Sequence, residues 1–100
     1  HYRPLIADGD MPMRTGIQVS EPGYEAAPHS HPYWEMLLIL EGEAKAWMMD
    51  TPDKVMSLKA GDMIALPPNQ AHSFRTVSKK TMRLLGIHHS PDRIVSYLER

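Results

Sequence analysis

The stretch Gly23–Gly42, which reads GYEAAPHSHPYWEMLLILEG, decides the fold of this chain. It contains three residues with metal-binding side chains, His29, His31 and Glu35, separated by even steps. Because side chains alternate along an extended strand, even spacing sends all three to the same face. A later histidine, His72, can join them from a neighbouring strand. Imidazoles and a carboxylate converging on one face predict a divalent metal site.

Short apolar segments separated by turn residues make up most of the chain. Gly, Pro, Asn and Asp interrupt the sequence about every eight to twelve residues, which is typical of an all-β sandwich or barrel. One hundred residues are enough for a single core, so we predict one all-β domain over 1–100. The predicted strands are Arg14–Ser20, Tyr33–Glu41, Glu43–Asp50, Val55–Lys59, Asp62–Leu66, His72–Val77 and Met82–His88.

Only the last part of the chain has a helical pattern. Ser90 suits an N-cap position and Pro91 suits the first helical position. Ile94, Val95 and Leu98 then fall on one stripe of a helix. This pattern predicts a short C-terminal helix.

The apolar run Met36–Leu40 has an unusual pattern for a strand. Leu37 and Ile39 share the face of the metal-binding residues and are expected in the interior. The opposite face is apolar as well, which indicates that it is covered, either by a second sheet of the same domain or by a second subunit. We therefore expect a homodimer. The outward residues are Trp34, Met36, Leu38 and Leu40.

Composition and charge exclude several classes of partner. The chain carries 11 Lys and Arg against 12 Asp and Glu, with a net charge of −1 and no basic cluster, so nucleic acid is not an expected partner. It has no cysteine, so disulfides do not hold the fold. The longest apolar run is too short to span a bilayer, and no secretory leader is visible. We expect a cytoplasmic protein with no membrane partner.

The quoted stretch resembles the first motif of the cupin family. That motif is a glycine, five residues, H-x-H, three or four residues, glutamate, six residues and a glycine. Gly23, His29, His31, Glu35 and Gly42 occupy every fixed position.

A second segment resembles the second cupin motif, a glycine, five residues, P-x-G, two residues, histidine, three residues and asparagine. Gly61, Pro67 and His72 match it. Asn69 replaces a glycine at a turn that needs a positive φ, which asparagine tolerates. Thr76 replaces the asparagine, which changes ligand contacts rather than metal binding.

The resemblance implies a double-stranded β-helix, or jelly-roll barrel, of two antiparallel sheets around one metal. Three neutral imidazoles and one carboxylate leave two positions of an octahedral shell open. The metal, which we take as one per chain, stays open among Fe, Mn, Zn, Ni, Co and Cu, and a metal-free barrel is the alternative. The implied ligands are His29, His31, Glu35 and His72.

Function is less defined, because this fold carries enzymes of several types and non-catalytic binders. The leading hypothesis is a metal-dependent enzyme of the dioxygenase, isomerase or lyase type acting on a small polar or chelating molecule. The alternative is a small-ligand-binding or sensing module, and the sequence assigns no catalytic acid or base. By alternation, one of the neighbours His88 and His89 points inward. The residues expected to line a substrate pocket are Tyr33, Phe74, Thr76 and His88.

Overall fold

A computed structural model describes residues 1–6 and 11–98. Within these ranges the chain forms strands and no helix, which confirms the all-β class. No helix long and apolar enough to cross a bilayer is found in the described ranges. The strands are β1 Tyr2–Ile6, β2 Arg14–Ser20, β3 His29–Ser30, β4 Glu35–Glu41, β5 Glu43–Met48, β6 Met56–Lys59, β7 Met63–Leu66, β8 His72–Thr76, β9 Met82–His88 and β10 Ser96–Tyr97.

The strands form two five-stranded sheets, with the orders β1-β2-β9-β4-β7 and β10-β3-β8-β5-β6. Every strand pair is antiparallel. The chain passes from one sheet to the other at every connection between consecutive strands except β1 to β2 and β5 to β6. This alternation produces the predicted two-sheet barrel.

The core lies between the two sheets. Leu37 is 7% exposed and Ile39 is 1% exposed, as the alternation along β4 predicts. Small side chains from β5, Ala44 and Ala46, allow the sheets to approach each other, and Met82 fills the space between them. The other buried apolar residues are Ala26, Leu58, Leu66, Phe74 and Leu84.

The outward face of the first sheet is also apolar. Trp34 is 49% exposed and Leu40 is 37% exposed, so the second sheet of the same chain does not cover them. In the sheet register, Leu38 lies beside Leu85 of β9 and Met63 of β7. Apolar side chains therefore run across four strands. We call this surface the outer face; it consists of Ile17, Trp34, Met36, Leu38, Met63, Leu85 and Ile87.

Two turns have the backbone conformation that the motifs predict. Asn69 has a φ of 63°, which confirms the expected left-handed position. Gly42 has a φ of 84° between β4 and β5. A Cβ atom there would lie 3.0 Å from the Cα of Met82 and 3.1 Å from the carbonyl oxygen of Thr81. Both the conformation and the space therefore require glycine at this turn.

The predicted C-terminal helix is wrong. After Ser90 the chain bends, and Ser96–Tyr97 pairs with β3 as strand β10. The N–H and carbonyl of Ile94, which a helix would bond internally, instead bond to Tyr33 and His31. Tertiary hydrogen bonds thus override the local helical pattern.

Candidate metal centre

The first-motif ligands lie where the chain crosses between the sheets. His29 is on β3 of the second sheet, and Glu35 begins β4 of the first sheet. Pro32 lies between them and has no N–H for a strand ladder. The sequence predicted a strand from Tyr33 onward and explained convergence by alternation alone. In the structure the side chains converge because they project from two facing sheets into one interior.

The second motif is tied to the first through backbone pairing. His29 of β3 and His72 of β8 are directly opposite in the antiparallel register. The N–H of Asn69 donates to the carbonyl of His31 at 2.6 Å. His72 therefore lies beside the first-motif ligands, as predicted. Donor atoms of the four residues all lie within 4.8 Å of one another; the residues are His29, His31, Glu35 and His72.

Backbone carbonyls fix the orientation of the three histidine rings. The Nδ1 atom of His29 lies 2.7 Å from the carbonyl oxygen of Ala27. The equivalent distances are 2.6 Å from His31 to Ile94 and 3.0 Å from His72 to Gln70. Since a carbonyl only accepts, Nδ1 carries the proton in each neutral ring. The Nε2 lone pairs are then available to a metal.

Glu35 is the negative centre of the cluster. Its Oε1 atom lies 3.3 Å from His31 Nε2 and 3.4 Å from His72 Nε2, and its Oε2 atom lies 2.9 Å from His88 Nε2. Burial alone would raise the pKa of Glu35, but the three neighbouring histidines hold it well below the usual range. The carboxylate is thus ionised and ready to bind a cation.

The histidine pKa values differ because their surroundings differ. Burial lowers the pKa of His29 and outweighs the opposite effect of the Ala27 carbonyl. Burial also acts to lower the pKa of His31, but the Glu35 carboxylate and the Ile94 carbonyl raise it above its ordinary value. In the absence of a metal, these surroundings favour a proton on His31 more than on His29.

The donor set fits a divalent transition metal. His31 is 3% exposed, and its Nε2 atom is buried with no hydrogen-bond partner of acceptable geometry. A buried polar atom without a partner is uncommon in native proteins and needs an explanation. A cation shared with Glu35 Oε1 would satisfy it, and imidazole nitrogen with carboxylate oxygen suits Mn, Fe, Co, Ni, Cu or Zn.

The four expected pocket residues fall into two groups. Tyr33 and His88 lie beside the ligands, with 8% and 6% exposure, and the Tyr33 hydroxyl lies 2.7 Å from His88 Nδ1. Phe74 lies in the apolar core and contacts Tyr24. Thr76 is four positions beyond His72 on the same strand, which corresponds to about 13 Å along β8. The structure brings the first two residues to the centre and places Phe74 and Thr76 in the barrel core.

Sequence reasoning did not identify the contact between His88 and Glu35. The register pairs Glu35 of β4 with His88 of β9, so both side chains point into the barrel at the same level. His89, by contrast, is exposed. Alternation alone gave the inward direction for one of the two histidines. The pairing of β4 with β9 was needed to show that the inward histidine is His88 and that it contacts Glu35.

The family follows from the sequence comparison. Residues 16–88 match the model of the cupin domain family. Because this match covers well over half of the chain, the protein belongs to the cupin family. Among curated proteins, the sequence comparison finds no match.

Solved structures show the same fold. A cupin-like protein from Thermotoga maritima is 25% identical, with a TM-score of 0.86 over 97% of this chain and 74% of that chain. A protein with a double-stranded β-helix domain from Klebsiella pneumoniae is 21% identical, with a TM-score of 0.80 over 98% of this chain and 86% of that chain. An oxalate oxidase is 20% identical, with a TM-score of 0.75 over 87% of this chain. This chain covers only 46% of the oxalate oxidase chain, and the likeness shows the fold alone.

Proposed function

We propose that the protein is a metal-dependent enzyme that acts on a small polar or chelating molecule. One arrangement carries the proposal: four donor atoms lie within 4.8 Å of one another on facing sheets. Three of these donors are imidazole nitrogens whose rings are oriented by backbone carbonyls, and the fourth is an ionised carboxylate. The residues that would hold the metal are His29, His31, Glu35 and His72.

The chain's own groups organise the site and leave space for a ligand. The Nδ1–H bonds stop the rings from rotating, so little reorganisation is needed when a cation binds. Four protein donors leave two positions of an octahedral shell for exogenous molecules. A divalent transition metal there supplies Lewis acidity, and a redox-active one supplies dioxygen chemistry. These are the chemistries of isomerase, lyase and dioxygenase reactions.

Positive charge near the centre favours a substrate that carries a carboxylate. Arg14 is directly opposite His88 in the pairing of β2 with β9. Its side chain therefore leaves the sheet on the same face as that of His88. Burial is the largest effect on Tyr33 and, together with the Glu35 carboxylate, raises the pKa of its hydroxyl, while the hydrogen bond with Ile94 and the positive charges of Arg93 and Arg14 act in the opposite direction. Two guanidinium groups thus act on a hydroxyl beside the site. They favour anionic chelators over neutral molecules.

Turnover measurements separate an enzyme from a binding module. Protein loaded separately with Fe(II), Mn(II), Co(II), Ni(II), Cu(II) or Zn(II) would be incubated with small carboxylates, diketones and sugar derivatives. Oxygen uptake and NMR of the mixture then report consumption. We expect multiple turnovers with a carboxylate, and none in the His72→Ala variant. Saturable binding of the same carboxylate without consumption would favour the alternative, a sensing or ligand-binding module.

We further propose that the protein forms a homodimer through the outer face. This surface is a continuous apolar patch on a sheet, of a kind that monomeric proteins rarely leave in water. A second copy of the same surface is the partner we favour, because a two-fold axis brings identical apolar rows together. The ion pair between Arg83 and Glu41, with 3.4 Å between nitrogen and oxygen, lies two register rows beyond Leu85 and Leu38 and gives the patch a polar border.

A further inference from the structure

His88 has a different hydrogen-bonding pattern from the three histidine ligands. In those ligands Nδ1 faces a carbonyl, and Nε2 faces the centre of the cluster. In His88, Nε2 lies 2.9 Å from Glu35 Oε2, and Nδ1 lies 2.7 Å from the Tyr33 hydroxyl. Since an ionised carboxylate only accepts, the proton of neutral His88 is on Nε2. His88 is therefore a donor to a ligand and has no lone pair directed at the metal.

Tyr33 fixes His88 in this tautomer. Its O–H donates to His88 Nδ1, and its oxygen accepts from the N–H of Ile94 at 3.3 Å. Its ring stacks on that of His31, with centroids 5.0 Å apart and planes 16° from parallel. Both ring nitrogens of His88 are therefore occupied, as is the Tyr33 hydroxyl. The polar atoms of Tyr33 and His88, which the sequence analysis placed in a substrate pocket, are therefore occupied by contacts with each other, with Ile94 and with Glu35.

The two oxygens of Glu35 face different partners. The contacts of His31 and His72 are with Oε1, at 3.3 and 3.4 Å from their Nε2 atoms, whereas the contact of His88 is with Oε2, at 2.9 Å. A carboxylate held in this way offers one oxygen to a metal. A free carboxylate is able to rotate and chelate through both oxygens, which would fill a position otherwise open to substrate.

We propose that His88 and Tyr33 are positioning residues that hold Glu35 so that it binds the metal through Oε1 alone. This inference rests on the proposed metal site. It adds that the open coordination positions are maintained by a hydrogen-bond chain running from the Ile94 N–H through Tyr33 and His88 to Glu35. Neither residue contacts the metal or the substrate in this role.

Cobalt(II) titration of metal-free protein tests the proposal, because visible absorption of Co(II) reports both affinity and coordination. His88→Phe removes the donor, His88→Gln keeps an N–H donor, and Tyr33→Phe removes one hydroxyl while keeping the ring. We expect His88→Phe to lower Co(II) affinity about 10–100-fold and to change the spectrum. We expect His88→Gln to restore much of both properties. Tyr33→Phe is expected to give a smaller change in the same direction.

Ring tautomers supply a second measurement that does not depend on any variant folding. Long-range ¹H–¹⁵N spectra of the histidine rings in Zn(II)-loaded wild-type protein distinguish protonated from unprotonated nitrogens. We expect a proton on Nδ1 in the three ligands and on Nε2 in His88.

The results separate this inference from the metal site on which it rests. If the wild-type protein binds one Co(II) per chain and His88→Phe has the same affinity and spectrum, the positioning role is wrong and the metal site stands. A proton on Nδ1 of His88 in the Zn(II) form would also overturn the positioning role, because Nε2 would then be a ligand. If the wild-type protein binds no Co(II), both the metal site and this inference fail.

Discussion

His29 and His72 are opposite each other in the register of β3 and β8, and their rings meet edge to face with centroids 4.6 Å apart. This contact joins the two motifs, whose histidines lie 43 positions apart in the sequence. A register slip of one residue would turn one ring away from the interior. The candidate metal centre therefore depends on the pairing of β3, a strand of only 2 residues. On its other edge β3 pairs with β10.

Metal content should follow the ligand histidines. We expect close to one divalent metal per chain in wild-type protein purified without a histidine tag, and little in the His31→Ala/His72→Ala double variant. Elemental analysis by mass spectrometry measures this. His89→Ala is the matched control, since His89 is exposed and should leave the metal content unchanged. Full occupancy in the double variant would disprove the ligand assignment.

Metal affinity should fall in acid. Binding requires unprotonated Nε2 atoms, so protons compete with the metal. Since the pKa of His31 is raised, it takes up a proton at a higher pH than an ordinary histidine. We expect the Co(II) dissociation constant to rise as the pH drops through about 6.5, the reference histidine value, and further towards 5. Titrations between pH 8 and pH 5 measure it, and an affinity independent of pH over this range would contradict the model of imidazole ligation.

The outer face should control oligomeric state. We expect wild-type protein to sediment as a dimer at micromolar concentration, and Leu38→Glu to sediment as a monomer, because a buried unpaired carboxylate opposes association. Val55→Glu is a suitable control, since Val55 is 48% exposed and lies outside the outer face. A monomeric wild-type protein in sedimentation velocity would refute the proposed dimer.

Thr76 and Ser73 should respond in opposite ways to loss of the hydroxyl. Thr76 is 1% exposed, and its Oγ1 atom has no hydrogen-bond partner among the described residues, whereas the Ser73 hydroxyl donates to the Ala26 carbonyl at 2.6 Å. We expect Thr76→Val to leave the free energy of unfolding unchanged or raised by about 1 kcal/mol, and Ser73→Ala to lower it by about 1 kcal/mol.

Urea denaturation measures both variants, and metal content serves as the check on the site. If Thr76→Val destabilises the protein as much as Ser73→Ala does, Thr76 has a partner that its position in the core does not reveal. Loss of metal from Thr76→Val would place its hydroxyl in the metal centre.

The candidate ligands were predictable because their information is local. The spacing of His29, His31 and Glu35 and the flanking glycines belong to one short stretch, and the apolar run after Glu35 identifies a buried strand. Alternation of side chains could not predict that the chain crosses from one sheet to the other after β3. A proline between two extended segments is compatible both with a continuing edge strand and with a crossing.

The C-terminal segment was mispredicted for a different reason. Ser90 does accept a hydrogen bond from the N–H of Asp92 at 3.1 Å, so the local capping signal is present. The segment does not form a helix because His31 and Tyr33, which are distant in the sequence, form hydrogen bonds with the backbone of Ile94. No pattern within the segment itself indicates these partners. The contact of His88 with Glu35 was hidden in the same way, since Glu35 comes from a strand that pairs with β9 only in the folded sheet.

The two backbone hydrogen bonds of Ile94 also have a consequence for folding during synthesis. Its carbonyl holds a ring 63 residues earlier in the chain. A growing chain on the ribosome therefore contains His29, His31, Glu35 and His72 before it contains the group that orients His31. We expect firm metal loading only after the residues of β10 have left the exit tunnel and paired with β3. Metal retention would then distinguish chains that have folded through this segment from chains that have not.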